Sequence, residues 1–433
     1  MTSHKSHEIV LLGGNFGGVS AAHYLLRHTI PSLQQLDKST ALHITLVTPN
    51  TRAYFKIASP RSAIQPKLLA ESELWRPLSE AFKQYPADQI KVVQATAVAL
   101  DPSKRTVTVE PTSAGETEQT ILYDSLVIST GTTSPSPLWT LHRDENRTSE
   151  AFKSVQASLS TAKTVLIAGG GPVGVETAGE IASSHPEAKI TLLSGGHRLL
   201  QRVKPATGAK AQAQLEQNFG VTVIHDVRAE PNVVSSPNSD EEAGKTTIPL
   251  SDGSTHTTDL FIDATGGAPN SEFLPQEWLD ETKRVITRDA YFRVRGSGGD
   301  GDANADGVYV LGDIVAGSAN TAMELDAMVP VVCSSIGVDI AAQHGQAAEG
   351  TQAPKPGFLG TLLSFLPGAG SNTLSQKEFK PMKDTIMVPI GPDGGVGQLF
   401  GWQVPGWFVK MAKGKSFLIQ MMGPMISGDK WKA

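Results

Sequence analysis

Two stretches of the chain follow one pattern: an apolar strand, a turn of closely spaced glycines, and a helix rich in small residues. The first is EIVLLGGNFGGVSAAHYLLRHT from Glu8, the second TVLIAGGGPVGVETAGEIASSH from Thr164. Each leads to another apolar strand, HITLVT from His43 and KITLLS from Lys189. Strands joined through a helical crossover run parallel, and a parallel sheet is buried on both faces, so these near-continuous Val, Ile and Leu runs fit it. A chain that builds such a unit twice is constrained to an α/β fold with two doubly wound halves.

The glycines carry the chemistry of the turn. In the second copy Gly169, Gly171 and Gly174 complete G-x-G-x-x-G. The first glycine makes the tight turn, the second lets backbone approach a pyrophosphate, and the third allows close packing of helix on strand. Pro172 opens the helix, whose N-terminus faces the anion. In the first copy Gly13 and Gly18 hold the outer positions, with Phe16 and Gly17 beside them, but Asn15 stands where the middle glycine belongs. Asparagine is the side chain that best tolerates left-handed dihedrals, and its amide could itself donate to a phosphate. The alternative is a packing turn with no ligand. Against that alternative stands GVYVLGDIVAG, an apolar strand ending in Gly312-Asp313. An aspartate at the carboxyl end of a strand lies where doubly wound sheets bind ligands and can accept from sugar hydroxyls; alone, it would also serve as a helix cap.

A chain of 433 residues accommodates two or three domains. Charge is mixed, with 37 Lys+Arg against 43 Asp+Glu, so no basic footprint points to nucleic acid. Cys333 is the single cysteine, which excludes an intrachain disulfide, a Cys-based zinc site or a redox dithiol. No metal cluster or catalytic triad is needed. The N-terminus lacks an apolar signal core, Thr2 stands where N-myristoylation needs glycine, and no run reaches the roughly 18 apolar residues of a membrane span. The expectation is a protein that is not secreted, placed in the cytoplasm or peripherally on a membrane surface of mitochondrial or lipid-droplet type.

Taken with LVISTGT, which supplies Thr130 and Gly131, and LFIDATGGAPN, which supplies Gly266, the pattern resembles the two-dinucleotide-binding-domain flavoproteins over residues 8 to 345. Within that superfamily it is similar to the apoptosis-inducing-factor-like group and the type II NADH dehydrogenases. The tail, IGPDGGVGQLFGW onward, resembles the C-terminal region of the ferroptosis-suppressor group. The resemblance implies two Rossmann-like domains and a small C-terminal α+β region. FAD would occupy residues 1–150 and 286–345, NAD(P)H residues 151–285, and residues 346–433 would form a membrane or dimer interface. The implied FAD contacts are Gly13, Asn15, Phe16, Gly17, Gly18, Lys56, Ala97, Thr130, Gly131, Gly312 and Asp313. Those to NAD(P)H are Gly169, Gly171, Pro172, Gly174, Ser194, His197, Arg198 and Gly266.

The resemblance also implies a glutamate by the flavin, matched by Glu176, paired with a basic residue from AYFKIASPR. Arg61 is the candidate near the flavin and Lys56 the candidate for the pyrophosphate or a neighbouring carboxylate. Ordinary surface ion pairs are the alternative, and Glu180 fits a buried structural role as well as a functional one. Two positions depart from the family pattern. Thr48, followed by Asn50, replaces the acid that holds the FAD ribose, leaving hydroxyl and amide contacts. Ser194 replaces the acid that favours NADH, and Arg198 behind it suits the 2′-phosphate of NADPH, unless it is a solvated surface residue.

The implied activity is hydride transfer from NADPH or NADH to FAD, followed by delivery of electrons to a quinone-type acceptor. A redox sensor with a long-lived reduced complex, or a reductase of a specialised metabolite or protein carrier, stands beside it. The tail interleaves Trp402, Trp407, Phe408, Phe417, Leu418 and Met421 with Lys410, Lys413, Lys415, Lys430 and Lys432. That suits a bilayer interface, as does FLGTLLSFL from Phe358. A small domain core or a dimer contact is the alternative, and a monomer or a homodimer is compatible with the sequence.

Overall fold

The computed structural model describes residues 5–38, 40–113, 115–230, 245–296, 303–345 and 374–432. FLGTLLSFL and most of the two polar, glycine-rich stretches after residues 230 and 296 lie outside them.

The first domain begins with β1 (Lys5–Leu12), α1 (Phe16–Tyr24) and β2 (Thr40–Thr48). Short helix α2 (Ser59–Ile64) follows, then β3 (Ile90–Asp101), β4 (Thr106–Pro111), β5 (Gln119–Leu122) and β6 (Ser125–Ile128). An inserted second unit contributes β7 (Thr164–Ala168), α3 (Pro172–Ser184), β8 (Lys189–Ser194), α4 (Pro205–Phe219), β9 (Thr222–His225) and β10 (Leu260–Asp263). The chain then returns to the first sheet with β11 (Val308–Val310) and α5 (Ala322–Gln343). Last come β12 (Ile386–Pro389), β13 (Gly395–Leu399), β14 (Trp402–Val404) and α6 (Met422–Ser427).

The first sheet has the order β11-β6-β1-β2-β3-β4-β5 and the second β9-β8-β7-β10. In the first, β1 pairs in parallel with β2 (Ile9 opposite Ile44, Leu11 opposite Leu46) and with β6. Strand β3 is shared: Ile90–Gln94 run parallel to β2, and from Ala95 onward it turns to antiparallel pairing with β4. The central strands do not alternate, because both faces are covered: Ile9, Val10, Leu11, Leu126 and Val127 are fully buried. The second sheet is parallel throughout.

Helix α5 is long and apolar enough to cross a membrane by length and composition. It is instead a core helix, capped by Thr321 accepting from Glu324 N and packed on α1, with Val329, Val332, Cys333 and Ile336 fully buried. The lone cysteine therefore sits inside the first domain.

The expected segment 151–285 meets a different boundary. Strand β10 completes the second sheet, Ala268–Pro269 pair with Thr132–Thr133 as crossing strands, and Asn270, Glu272 and Phe273 already line the cleft of the first domain. Strands β12 and β13 of the C-terminal region lie on the second domain, while α6 packs on α1 of the first. Gln398, almost fully buried, accepts from Lys204 N and Thr207 Oγ1, both at 3.2 Å, at the start of α4. A Cβ on Gly179 of α3 would lie 2.7 Å from Gly391 N, so a side chain there would push the region away.

Candidate functional site

The two glycine turns have the same geometry. Gly13 and Gly169 have φ of +111° and +125°, which an L side chain rarely adopts. A Cβ on Gly18 would lie 1.8 Å from Gly13 O, and one on Gly174 would lie 1.8 Å from Gly169 O. The third glycine of each copy is thus a packing residue that brings helix onto turn. Gly171 differs, since a Cβ there would meet nothing within 4 Å. Its bareness serves whatever approaches from outside.

Asn15 does not adopt the left-handed backbone its residue type suggested. Its φ is −116°, so no left-handed tolerance is used. Its amide faces inward instead: Nδ2 donates to Tyr54 O at 3.1 Å and Oδ1 accepts from Tyr54 N at 3.2 Å. This two-bond clasp ties the first turn to the segment after β2. Tyr54 is fully buried and donates its hydroxyl to Leu138 O at 2.6 Å, extending the anchor.

A cleft of about 420 Å³ opens at the carboxyl edge of the first sheet, within the range of small-molecule and cofactor sites. Gly13, Asn15, Phe16, Gly17, Lys56, Ala97, Thr130, Gly131, Gly312 and Asp313 all line it, whereas Gly18 lies behind it as packing. At one end, Thr48 and Asn50 are braced by each other and by the chain: Asn50 N donates to Thr48 Oγ1, and Asn50 Nδ2 donates to His142 O at 2.9 Å. At the other, Lys56 Nζ lies 2.8 Å from Asp313 Oδ2. Lys56 thus meets a neighbouring carboxylate, one of the two roles its position suggested. Helix N-terminus, bare glycine backbone, one cation and one acid supply what a dinucleotide pyrophosphate and its hydroxyls require. The donor set fits FAD.

The ion pairs beside this cleft differ from the expected ones. Arg61 does not pair with Glu176. Its guanidinium is buried against Glu180, with Nη2 2.9 Å from Oε1, and it also donates to Gly414 O at 3.1 Å. Glu176 is met by Lys413, whose Nζ lies 2.6 Å from Oε1. Neither Glu176 nor Arg61 lines the cleft. Both cations lie over the ring of fully buried Phe417, at 4.7 Å for Arg61 and 5.6 Å for Lys413. The two glutamates stand one turn apart on α3, so each carries a like charge beside it. Burial raises the pKa of both; Lys413 opposes the rise at Glu176, and Arg61 opposes it at Glu180. Lys413 and Phe417 had no local signal in the sequence, since 237 residues separate Lys413 from Glu176.

The second site lies at the carboxyl edge of β7, β8 and β10. Gly169, Gly171, Pro172 and Gly174 form its turn, and Gly266 follows β10 with open space where a Cβ would be. The loop after β8 corrects the expected role of Arg198. Its guanidinium is spent on three carbonyls, Val203 O at 2.9 Å, Gln201 O at 2.6 Å and Leu200 O at 3.3 Å. The Ser194 hydroxyl is likewise directed at Gly196 O and Arg198 O. Both residues shape the loop. His197 is 94% exposed, with Nδ1 2.8 Å from Asp226 Oδ1.

Residues 7–328 match the family model described as pyridine nucleotide-disulphide oxidoreductase. The chain is 30% identical to "Oxidoreductase phnG" of Penicillium herquei, over 99% of this chain and 98% of that one. Ferroptosis suppressor protein 1 of Homo sapiens is 21% identical over 95% and 93%. Among solved structures, the sulfide:quinone oxidoreductase of Aquifex aeolicus shares the fold, with a TM-score of 0.65 over 98% of this chain and 92% of that one at 16% identity. The chain belongs to the pyridine nucleotide-disulphide oxidoreductase family and is an FAD- and NAD(P)-dependent oxidoreductase.

Proposed function

We propose that this oxidoreductase passes hydride from NAD(P)H to FAD and then delivers electrons to a quinone-type small molecule. The observation that carries the reading is the single cysteine. Family members with a dithiol can relay electrons through it, but here Cys333 is fully buried in α5 and has no partner cysteine. The acceptor must therefore meet the flavin directly. Bound FAD supplies two-electron uptake and release; the protein supplies position and charge.

The first turn, whose Gly13 and Gly17 line the cleft, would hold the pyrophosphate at the N-terminus of α1. Lys56 would bring positive charge to the same edge, and Asp313 would accept hydrogen bonds from hydroxyls. Glu176 and Lys413 place an acid–base pair where the C-terminal region covers α3. Lys413 Nζ donates to Glu176 Oε1 at 2.6 Å, and burial raises the pKa of that carboxyl. Proton delivery to a reduced acceptor is the role this pair suits.

A lipid-soluble acceptor fits the C-terminal surface. Phe400, Trp402, Trp407 and Met411 are 66, 80, 65 and 63% exposed. Between residues 374 and 432 the chain has eight lysines and four acidic residues, although the whole chain carries net −6. Exposed aromatics within a basic region suit an anionic bilayer surface. Other residues of the tail have a different use: Phe417 is core, Lys410 pairs with Asp393, Lys430 with Asp326 and Lys432 with Asp429. The fold likeness to a sulfide:quinone oxidoreductase agrees with a quinone but does not carry the reading.

Steady-state reduction of a short-chain ubiquinone by the flavin-loaded protein tests the proposal. Continued turnover is expected with NADPH or NADH. A single reduction followed by a stall would favour a redox sensor, and turnover confined to a protein carrier or another metabolite would move the acceptor.

A further inference from the structure

Gly195 and Gly196, at the carboxyl end of β8, lie where a doubly wound sheet receives the adenosine ribose of its dinucleotide. NADPH carries a phosphate on that ribose and NADH a free hydroxyl. The residues that follow β8 in sequence do not answer the phosphate: Ser194 and Arg198 are committed to loop carbonyls. A cation reaches the position from elsewhere. Arg228, three residues beyond β9, lies across Gly195, where a Cβ would sit 2.9 Å from its Cγ and 3.0 Å from its Nε. Glycine at 195 is what lets the arm lie there.

The root of Arg228 is fixed. Its N donates to Ser251 Oγ at 2.9 Å, and its carbonyl accepts from Ser251 N at 2.9 Å. Its side chain is exposed, and among the described residues its guanidinium has no hydrogen-bond or ion-pair partner. A pre-positioned, exposed and uncommitted guanidinium contrasts with Arg198, which has the right sequence position but commits three of its five N–H donors to loop carbonyls. The other charged groups at this loop are His197 and Asp226, joined at 2.8 Å. Asp226 is held by that imidazole and by its own N donating to Gly196 O, which places one acid and one titratable ring beside the permanent cation.

We infer that Arg228 binds the 2′-phosphate and makes NADPH the preferred donor, with Arg198 serving to shape the loop. This rests on the middle domain being the dinucleotide site. Guanidinium and phosphate match in a planar, two-bond fork, which a ribose hydroxyl cannot form.

Calorimetric titration of the flavin-loaded protein with 2′,5′-ADP and with 5′-ADP reads the subsite without turnover. The unaltered protein is expected to bind 2′,5′-ADP more tightly. Arg228→Ala should weaken 2′,5′-ADP by about tenfold or more, the loss of a charge-assisted hydrogen bond, and should raise the KM for NADPH by a larger factor than that for NADH. Arg228→Lys should restore part of the preference, because the charge remains and the fork does not. Arg198→Ala should lower the melting temperature and weaken both ligands by similar factors. The assignment is overturned if Arg228→Ala weakens both ligands equally, or if Arg198→Ala alone abolishes the preference. Failure of the unaltered protein to bind either ligand or either dinucleotide would overturn the dinucleotide reading of the middle domain, and the assignment with it.

Discussion

Lys413→Met removes the ammonium 2.6 Å from Glu176 while keeping an unbranched apolar stem next to Phe417. The pair is well shielded, with 14% of the lysine side chain and 3% of the glutamate side chain exposed. Removing one partner of a buried pair leaves an uncompensated charge and typically costs about 3–5 kcal/mol. Glu176 has a way out, because it can take up a proton. Its pKa is already raised by burial and by Glu180 one turn away, and without Lys413 it rises further. A carboxyl whose folded pKa lies above its unfolded one opposes folding once the pH exceeds the unfolded value, and ceases to do so as pH falls. The loss in Lys413→Met should therefore be about 3 kcal/mol near pH 8 and about 1 kcal/mol near pH 5.5. Glu176→Gln added to it should recover most of the loss, giving a coupling of about 2 kcal/mol in the double-mutant cycle. Urea unfolding followed by tryptophan fluorescence at the two pH values measures both quantities. A loss independent of pH, or additive single effects, would refute the buried pair.

The glycines separate fold from binding: Gly174→Ala should fail to fold stably, its Cβ being 1.8 Å from Gly169 O, whereas Gly171→Ala should keep its melting temperature and lose NAD(P)H affinity. Asn15→Gly should cost about 1–2 kcal/mol and shed flavin faster, since two hydrogen bonds to the Tyr54 backbone go with the side chain. His23 holds the C-terminal end: Nε2 lies 2.8 Å from Ile426 O, Nδ1 lies 2.9 Å from the Tyr85 hydroxyl, and burial lowers its pKa to about 4. A depressed pKa gives stability that is present above 6.5 and lost as pH falls toward 4, so limited proteolysis of the tail should accelerate across that window. Replacing Phe400, Trp402 and Trp407 by serine should abolish sedimentation with phosphatidylserine-containing vesicles and leave the melting temperature in place; unchanged sedimentation would sink the lipid surface.

Architecture was legible in the sequence because the determinants are local. Gly18 and Gly174 pack on the carbonyls of Gly13 and Gly169, five residues away, and the apolar runs of β1, β2, β7 and β8 need no partner to be recognised. Much of the cleft lining was legible for the same reason, since Gly13, Asn15, Thr130, Gly131, Gly312 and Asp313 follow strand ends, whereas Ala97 lies within β3. Charge pairing was not. Arg61 and Lys56 are equally basic and five residues apart in AYFKIASPR, and their partners, Glu180 and Asp313, are fixed by tertiary packing. Lys413 read as one more interfacial lysine, since nothing around it marks a buried pair with α3. Arg198 misled because position after β8 suggests a phosphate ligand, while its donors go to carbonyls two to five residues away. Asn15 misled in part: its residue type suggested a left-handed backbone or an amide toward phosphate, and the structure ties the amide to the Tyr54 backbone.

Anaerobic stopped-flow mixing of the flavin-loaded protein with NADPH, then with a short-chain ubiquinone, tests the central claim most directly. Rapid bleaching of the flavin band followed by rapid recovery with quinone is the expected result. Bleaching without recovery would contradict quinone as acceptor, and a protein that retains no flavin would contradict the assignment of the first cleft.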